Sequence, residues 1–271
     1  MPKDPKKMML LATQRNGLSG GDMKPWHLKT TYKLFDEKGN SIDQGTYEEF
    51  WVSQAKYKRI LTSSTSKQTD YGTNKGMLRS GAQELYSELL SELRRELIEP
   101  LPVSHAISMQ PLPLNLQMRE SNGAEFACVN LIGYDQKINQ TWCFDADKPA
   151  LRISASALDA AQFFHSNNVV FQNHFIAGDL RILKAGKPVL DAHLESIEQL
   201  TTIDEADFTP SPDAAPVHLK IALSEDAAQG LLIRHSKPIF PPIARAANVS
   251  GSVVLQVVIG TNGRIASLHV I

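Results

Sequence analysis

Long apolar runs are missing: nothing in the 271 residues approaches the roughly 18 consecutive apolar residues that carry a helix across a bilayer. Net charge is nearly missing too. Lys+Arg 28 against Asp+Glu 29 leaves −1, a balance that demands neither nucleic acid nor an anionic membrane as partner. Catalytic signatures are also lacking. There is no HExxH, no GxSxG elbow, no phosphate-binding glycine loop and no dinucleotide fingerprint, and Gly17 to Gly21 has neither a preceding strand nor a Lys-Ser/Thr pair. The 8 histidines are scattered. His165 and His174 with Asp179, or His193 with Asp191 and Glu195, assemble a metal or acid/base site only on paper, because residues this common meet by chance. These absences point to a binding or coupling protein rather than an enzyme, with no cofactor and no metal.

Cysteine is scarce as well. Cys128 and Cys143 flank a stretch that reads as a hairpin, which would set them opposite one another within disulfide reach. Spacing alone leaves a bridge and two buried thiols equally open, since pairing follows the redox compartment. Neither cysteine belongs to a CxxC, which argues against zinc. At the N-terminus, Lys3, Lys6 and Lys7 before Met8 to Ala12 imitate the start of an export signal, but the apolar run is shorter than the roughly 7 to 15 residues required.

What is present divides the chain into an N-terminal segment (1–24), a β-rich region (25–208), a linker (209–220) rich in Pro and Ala, and a C-terminal module (221–271). Leu28, Thr30, Tyr32 and Leu34 alternate with polar residues, the period of a strand with one buried face. Gln44 to Val52, Tyr57 to Thr62 and the polar run through Asp70 to Gly76 continue an antiparallel meander. Leu85, Leu89, Leu93 and Leu97 recur every four residues, an amphipathic helix that Pro100 stops. Strands resume at Phe126 to Ile132, Thr141 to Phe144, Leu151 to Ala155, Val169 to Phe171, Phe175 to Leu183 and Pro188 to Ile197, with two helical turns expected near Ala157 to Phe164. The fold class is α+β, a large antiparallel sheet with a few helices.

The stretch from Trp26-His27-Leu28-Lys29 through Gly45 to Val52 and Tyr57-Lys58-Arg59 resembles the opening strands of lipoprotein carriers of the LolA and LolB type. That resemblance implies a curved half-barrel whose concave face shelters acyl chains beneath a helix, with Tyr47, Trp51, Leu85, Leu89 and Leu93 as candidate cavity residues and a lipid as ligand. The reading favoured over a cavity is that the same residues make a closed core, since periodic apolar side chains need no ligand to explain them.

Lys237 to Ile265 is similar to the first half of the TonB C-terminal domain: aromatic-Pro, Ala, Gly-x-Val, alternating apolar residues and a Gly-Arg turn. Pro241 and Pro242 suit a helix start, Ile243 to Ala247 a short helix, and Val253, Leu255, Val257 and Ile259 a strand turning at Thr261 to Gly263 into a second. The resemblance implies a periplasmic energy-coupling protein that engages an outer-membrane TonB-dependent transporter or an inner-membrane motor. Pro241, Pro242, Ala244, Arg245, Gly251, Val253, Gly263 and Arg264 would contact the partner. The family's further helix and last strand have no counterpart before Ile271, so the module reads as shortened.

Overall fold

A computed structural model describes residues 1–82, 88–109, 112–121, 123–157, 160–217, 255–259 and 265–270. The chain divides into two units, Met1–Val217 and His218–Ile271. Just before that boundary, Ala215–Pro216 pairs as a short edge strand.

The first unit is built on one open antiparallel sheet of 13 strands. Trp26–Phe35 (β1), Ser41–Ser53 (β2), Lys56–Thr62 (β3), Lys67–Thr73 (β4) and Gly76–Gly81 (β5) form a meander running outward from β1. A second meander runs inward, through Leu114–Ser121 (β6), Ala124–Ile132 (β7), Ile138–Asp145 (β8), Leu151–Ser156 (β9), Ala161–Ser166 (β10), Asp179–Lys184 (β13) and Lys187–Gln199 (β14). The pair Val169–Phe171 (β11) and His174–Ile176 (β12) forms a separate hairpin between β10 and β13. The meanders join where β1 meets β14, from Trp26 opposite Gln199 to Leu34 opposite Leu190. Ala215–Pro216 (β15) and β6 are the two edges.

Alternation decides which side chains point inward, because successive residues of a strand face opposite sides. In β1 the residues Trp26, Leu28, Thr30, Tyr32 and Leu34 are buried while those between them are half-buried or exposed. Three helices cover the inner face. Glu88–Ile98 (α2) buries Leu90, Leu93 and Leu97 among Trp26, Leu28, Leu180, Ile182 and Leu190. Pro5–Thr13 (α1) and Ser104–Met109 (α3) bury Met8, Met9, Ala12 and Ile107 against Val129, Trp142, Phe144 and Leu151 of the second meander. The lysine-rich start is thus the opening of a packed helix: the Asp4 side chain caps it by accepting from Lys7 N, and Pro5 fills the first turn. Asn16 ties the helix down by donating to Pro149 O and accepting from Leu151 N.

Two expectations are corrected. The helical turns near Ala157 to Phe164 are replaced from Ala161 onward by β10, where Ala161, Phe163 and His165 are buried in alternation. The strand signal is weak there because the buried positions include alanine and histidine rather than a β-branched run. The span Phe175 to Leu183 is interrupted at Ala177-Gly178, so β12 belongs to the small hairpin and β13 to the main sheet.

In the second unit, Leu255–Ile259 (β16) and Ile265–Val270 (β17) pair antiparallel, Leu255 opposite Val270 and Val257 opposite Leu268. The expected hairpin is present over these residues. Val253, the turn and the proline-led helix lie outside the described residues.

Cys128 and Cys143 stand directly opposite on β7 and β8 and form a disulfide. The hairpin pairing brings the two Cβ atoms together, and the bridge closes a loop with a sequence separation of 15. Denatured protein should present no reactive thiol until reductant is added and two thereafter. Reduction should lower the unfolding free energy by up to about 3 kcal/mol, measured by denaturant titration with and without reductant.

Candidate functional site

The inner face of the first meander carries charge at positions where alternation calls for apolar residues. Glu49 shares its side of β2 with Tyr47 and Trp51, and Arg59 shares its side of β3 with Tyr57 and Leu61. Register lines these up: Glu49 is opposite Arg59, Arg59 opposite Asp70, and Asp70 opposite Arg79. A row of alternating sign crosses four strands. Asp70 and Arg79 are closed from solvent and joined by two bonds, Nε to Oδ1 at 2.6 Å and Nη2 to Oδ2 at 2.8 Å.

Glu49 is the junction with α2. Its carboxylate, 0% exposed, accepts from Arg59 Nε at 2.9 Å, from Arg94 Nε at 3.2 Å and Nη2 at 3.3 Å, and from the Tyr47 hydroxyl. Burial alone pushes such a carboxyl up; the guanidiniums of Arg59 and Arg94, with the Tyr47 hydroxyl, outweigh it and hold the group below its usual range. The Tyr47 hydroxyl is driven well up by burial and by Glu49, so it stays a neutral donor.

Beside the charge row runs an aromatic one. Trp26 is opposite Trp51, Trp51 opposite Tyr57, and Tyr57 opposite Gly72. Trp26 and Trp51 stack with ring centroids 5.9 Å apart, and Arg59 lies on the Tyr57 ring at 3.9 Å. Gly72 makes the room: a Cβ there would stand 2.2 Å from Cε1 of Tyr57.

The face that α2 covers also holds polar atoms without a hydrogen-bond partner. They are Trp26 Nε1, Thr30 Oγ1, Glu92 Oε2, Glu96 Oε2 and His165 Nε2. Glu96 Oε2 and His165 Nε2 face each other at 3.1 Å, inside ion-pair range but without hydrogen-bond alignment. Burial pushes the Glu92 carboxyl up, with Lys184 at 3.4 Å opposing.

Of the candidate cavity residues, Tyr47 and Leu93 are buried, and Trp51 and Leu89 are half-buried against the same apolar cluster. Leu85 lies outside the described residues. So do all the candidate partner contacts: Pro241, Pro242, Ala244, Arg245, Gly251, Val253, Gly263 and Arg264. The paper assemblies of histidines come apart. His165 faces inward to Glu96, whereas Asp179 faces outward and binds His193 Nδ1 at 2.7 Å; His174 contacts Asp22 at 3.5 Å. Asp191 goes to Arg181 through two bonds and Glu195 to Lys29. Among the described residues no group of three or more ligating side chains is placed to hold a metal ion.

An outer-face groove of about 980 Å³ over β1, β14, β13 and β10 includes Lys33, Phe164, Arg181 and His193. Its Arg181 and His193 are already paired within the sheet, which leaves the groove the character of a solvated face.

No protein-family model matches the sequence, so the TonB-type similarity and the transporter and motor partners it implied gain no support. No curated protein matches either. Among solved structures, the chain is similar to a LolA superfamily protein from Nitrosomonas europaea at 7% identity and a TM-score of 0.45, covering 76% of this chain and 98% of that one. It is similar to a putative outer membrane lipoprotein-sorting protein domain from Vibrio parahaemolyticus at 9% identity and a TM-score of 0.44, covering 75% and 95%. A DUF1329 family protein from Desulfovibrio piger gives 9% identity and a TM-score of 0.47, covering 76% and 95%. Likeness of this degree assigns neither a family nor a ligand.

Proposed function

We propose that the first unit is a non-catalytic, carrier-like binding protein that takes up an apolar or amphiphilic ligand of the lipid class between α2 and the inner face of the sheet. One observation carries the reading: among the described residues, five of the nine buried side-chain polar atoms without a hydrogen-bond partner lie on α2 or on the face it covers, Glu96 Oε2 and His165 Nε2 among them at 3.1 Å from each other. A buried polar atom left without a partner costs about 1–3 kcal/mol, and native cores hold few of them. Under α2 they offset part of what the leucines contribute, roughly 1.5–3 kcal/mol for each one fully buried. The contrast is with α1 and α3, which rest on apolar side chains. Among the described residues no ion pair links those two helices to the sheet. The weaker seat makes α2 the helix beneath which an apolar ligand enters. The resemblance of Trp26 to Arg59 to lipoprotein carriers supports the same function. The disulfide supports an oxidising compartment such as the periplasm.

The reading is tested by extracting lipid from the purified full-length protein, refolding it and titrating the neutral fluorophore N-phenyl-1-naphthylamine. Saturable fluorescence enhancement is expected, together with copurifying lipid in the mass spectrum of the extract; no enhancement and no lipid would contradict it. In ligand-free protein, amide exchange should release α2 before α1, and the reverse order would remove the basis for placing the ligand under α2.

The Glu49 junction also predicts a pH dependence. Its carboxyl is lowered in the folded state, so it contributes stability above the unfolded value of about 4.3, and that contribution is lost as pH falls through the lowered folded value. Glu92, pushed up by burial, acts in the opposite sense, so the comparison must isolate Glu49. Thermal melts of wild type and E49Q should differ fully at pH 7 and start to converge only as pH falls below the unfolded value of about 4.3. A gap that does not change with pH would contradict the account.

A further inference from the structure

Two guanidiniums share one carboxylate under the edge of α2. Asp70 is engaged by Arg79, so among the described residues Glu49 alone faces both Arg59 and Arg94, and that trio carries one net positive charge. Each arginine has five N–H donors in a planar fork. Arg59 spends its Nε on Glu49, and Arg94 its Nε and Nη2. Their side chains remain 15% and 28% exposed, so neither arginine is closed off from solvent. The Tyr57 ring lies beneath Arg59, its centroid 3.9 Å from the guanidinium carbon.

The surroundings narrow the ligand. Trp51 and Tyr57 occupy the next inward position along their strands, about 7 Å from Glu49 and Arg59, and both are half-buried. Leu89, also half-buried, packs on the same cluster. Anion-seeking forks beside aromatic and aliphatic surface match a molecule with a charged end and an apolar body.

We propose that Arg59 and Arg94, poised on Glu49 beside the Trp51–Tyr57 row, form a subsite for the anionic head of an amphiphile: a phosphate, sulfate or carboxylate carried on an alkyl chain. This rests on the carrier reading above and adds the ligand's polar end. Glu49 is a positioning residue, an internal counter-ion that holds the two forks together and competes with the ligand's own charge. The planar fork suits an oxyanion in two-point contact, which a lysine at either position would not reproduce.

The test compares dodecyl phosphate with dodecyl maltoside, of equal chain length and no charge, by displacement of N-phenyl-1-naphthylamine from refolded full-length protein. Wild type should bind the phosphate about tenfold or more tighter than the maltoside, the worth of one charge-assisted hydrogen bond. R59Q and R94Q should erase that preference while keeping the maltoside affinity, and R94K, which keeps the charge without the fork, serves where R94Q does not fold. E49Q should tighten phosphate binding only, an effect that loss of packing would not produce. R119Q, on the exposed edge strand, should change nothing. Equal affinity for the two amphiphiles in wild type overturns the subsite and leaves the carrier reading intact. Binding of neither overturns both. Displacement of dodecyl phosphate by inorganic phosphate at equal concentration would mean a free oxyanion site and would overturn the amphiphile.

Discussion

The buried carboxylate of Glu49 joins α2 to the first meander, and the architecture of that part of the inner face follows from its cost. A charge with no solvent exposure is tolerated only when it is paired and hydrogen-bonded. Arg59, Arg94 and Tyr47 supply those partners from a neighbouring strand, from the helix and from its own strand. Such a junction fixes where the helix sits without making the seat strong, because the desolvation of the ions offsets much of their attraction.

The inner face therefore has two characters. Under α1 and α3 it is a continuous apolar cluster containing Trp142 and Phe144. Under α2 it combines Leu90, Leu93 and Leu97 with Glu92, Glu96, His165 and the Glu49 junction. Both meanders contribute strands to the second region, since β1 and β14 meet at its centre. A ligand entering beneath α2 would exchange unpaired polar atoms for solvent or for its own head group, which lowers the cost of opening. The same exchange under α1 would expose apolar surface with nothing gained.

Much of the strand content is legible in the sequence because one face of each strand is apolar: Leu28 to Leu34 reads as half-buried without any knowledge of its neighbours. The disulfide is legible as a geometric option, since a hairpin between Cys128 and Cys143 leaves them facing, and the registered pairing of β7 and β8 closes the choice. The charge row is not legible, because Glu49, Arg59, Asp70 and Arg79 come from four strands and only register aligns them. A partial signal exists. Glu49 has the same parity as Tyr47 and Trp51, and Arg59 the same parity as Tyr57 and Leu61, so each puts a charge where the pattern predicts burial. β10 fails for the converse reason, its buried side being Ala161, Phe163 and His165 rather than a recognisable β run.

The central claim is that acyl chains enter on the α2 side of the inner face and not beneath α1 and α3. The tryptophans divide accordingly, Trp26 and Trp51 in one cluster and Trp142 in the other. Quenching by a fatty acid brominated along its chain, which acts only at contact range, distinguishes them. The account predicts strong quenching in W142F, where Trp26 and Trp51 report, and little in the W26F/W51F double variant, where Trp142 reports. Equal quenching in both, or quenching of Trp142 alone, would contradict it.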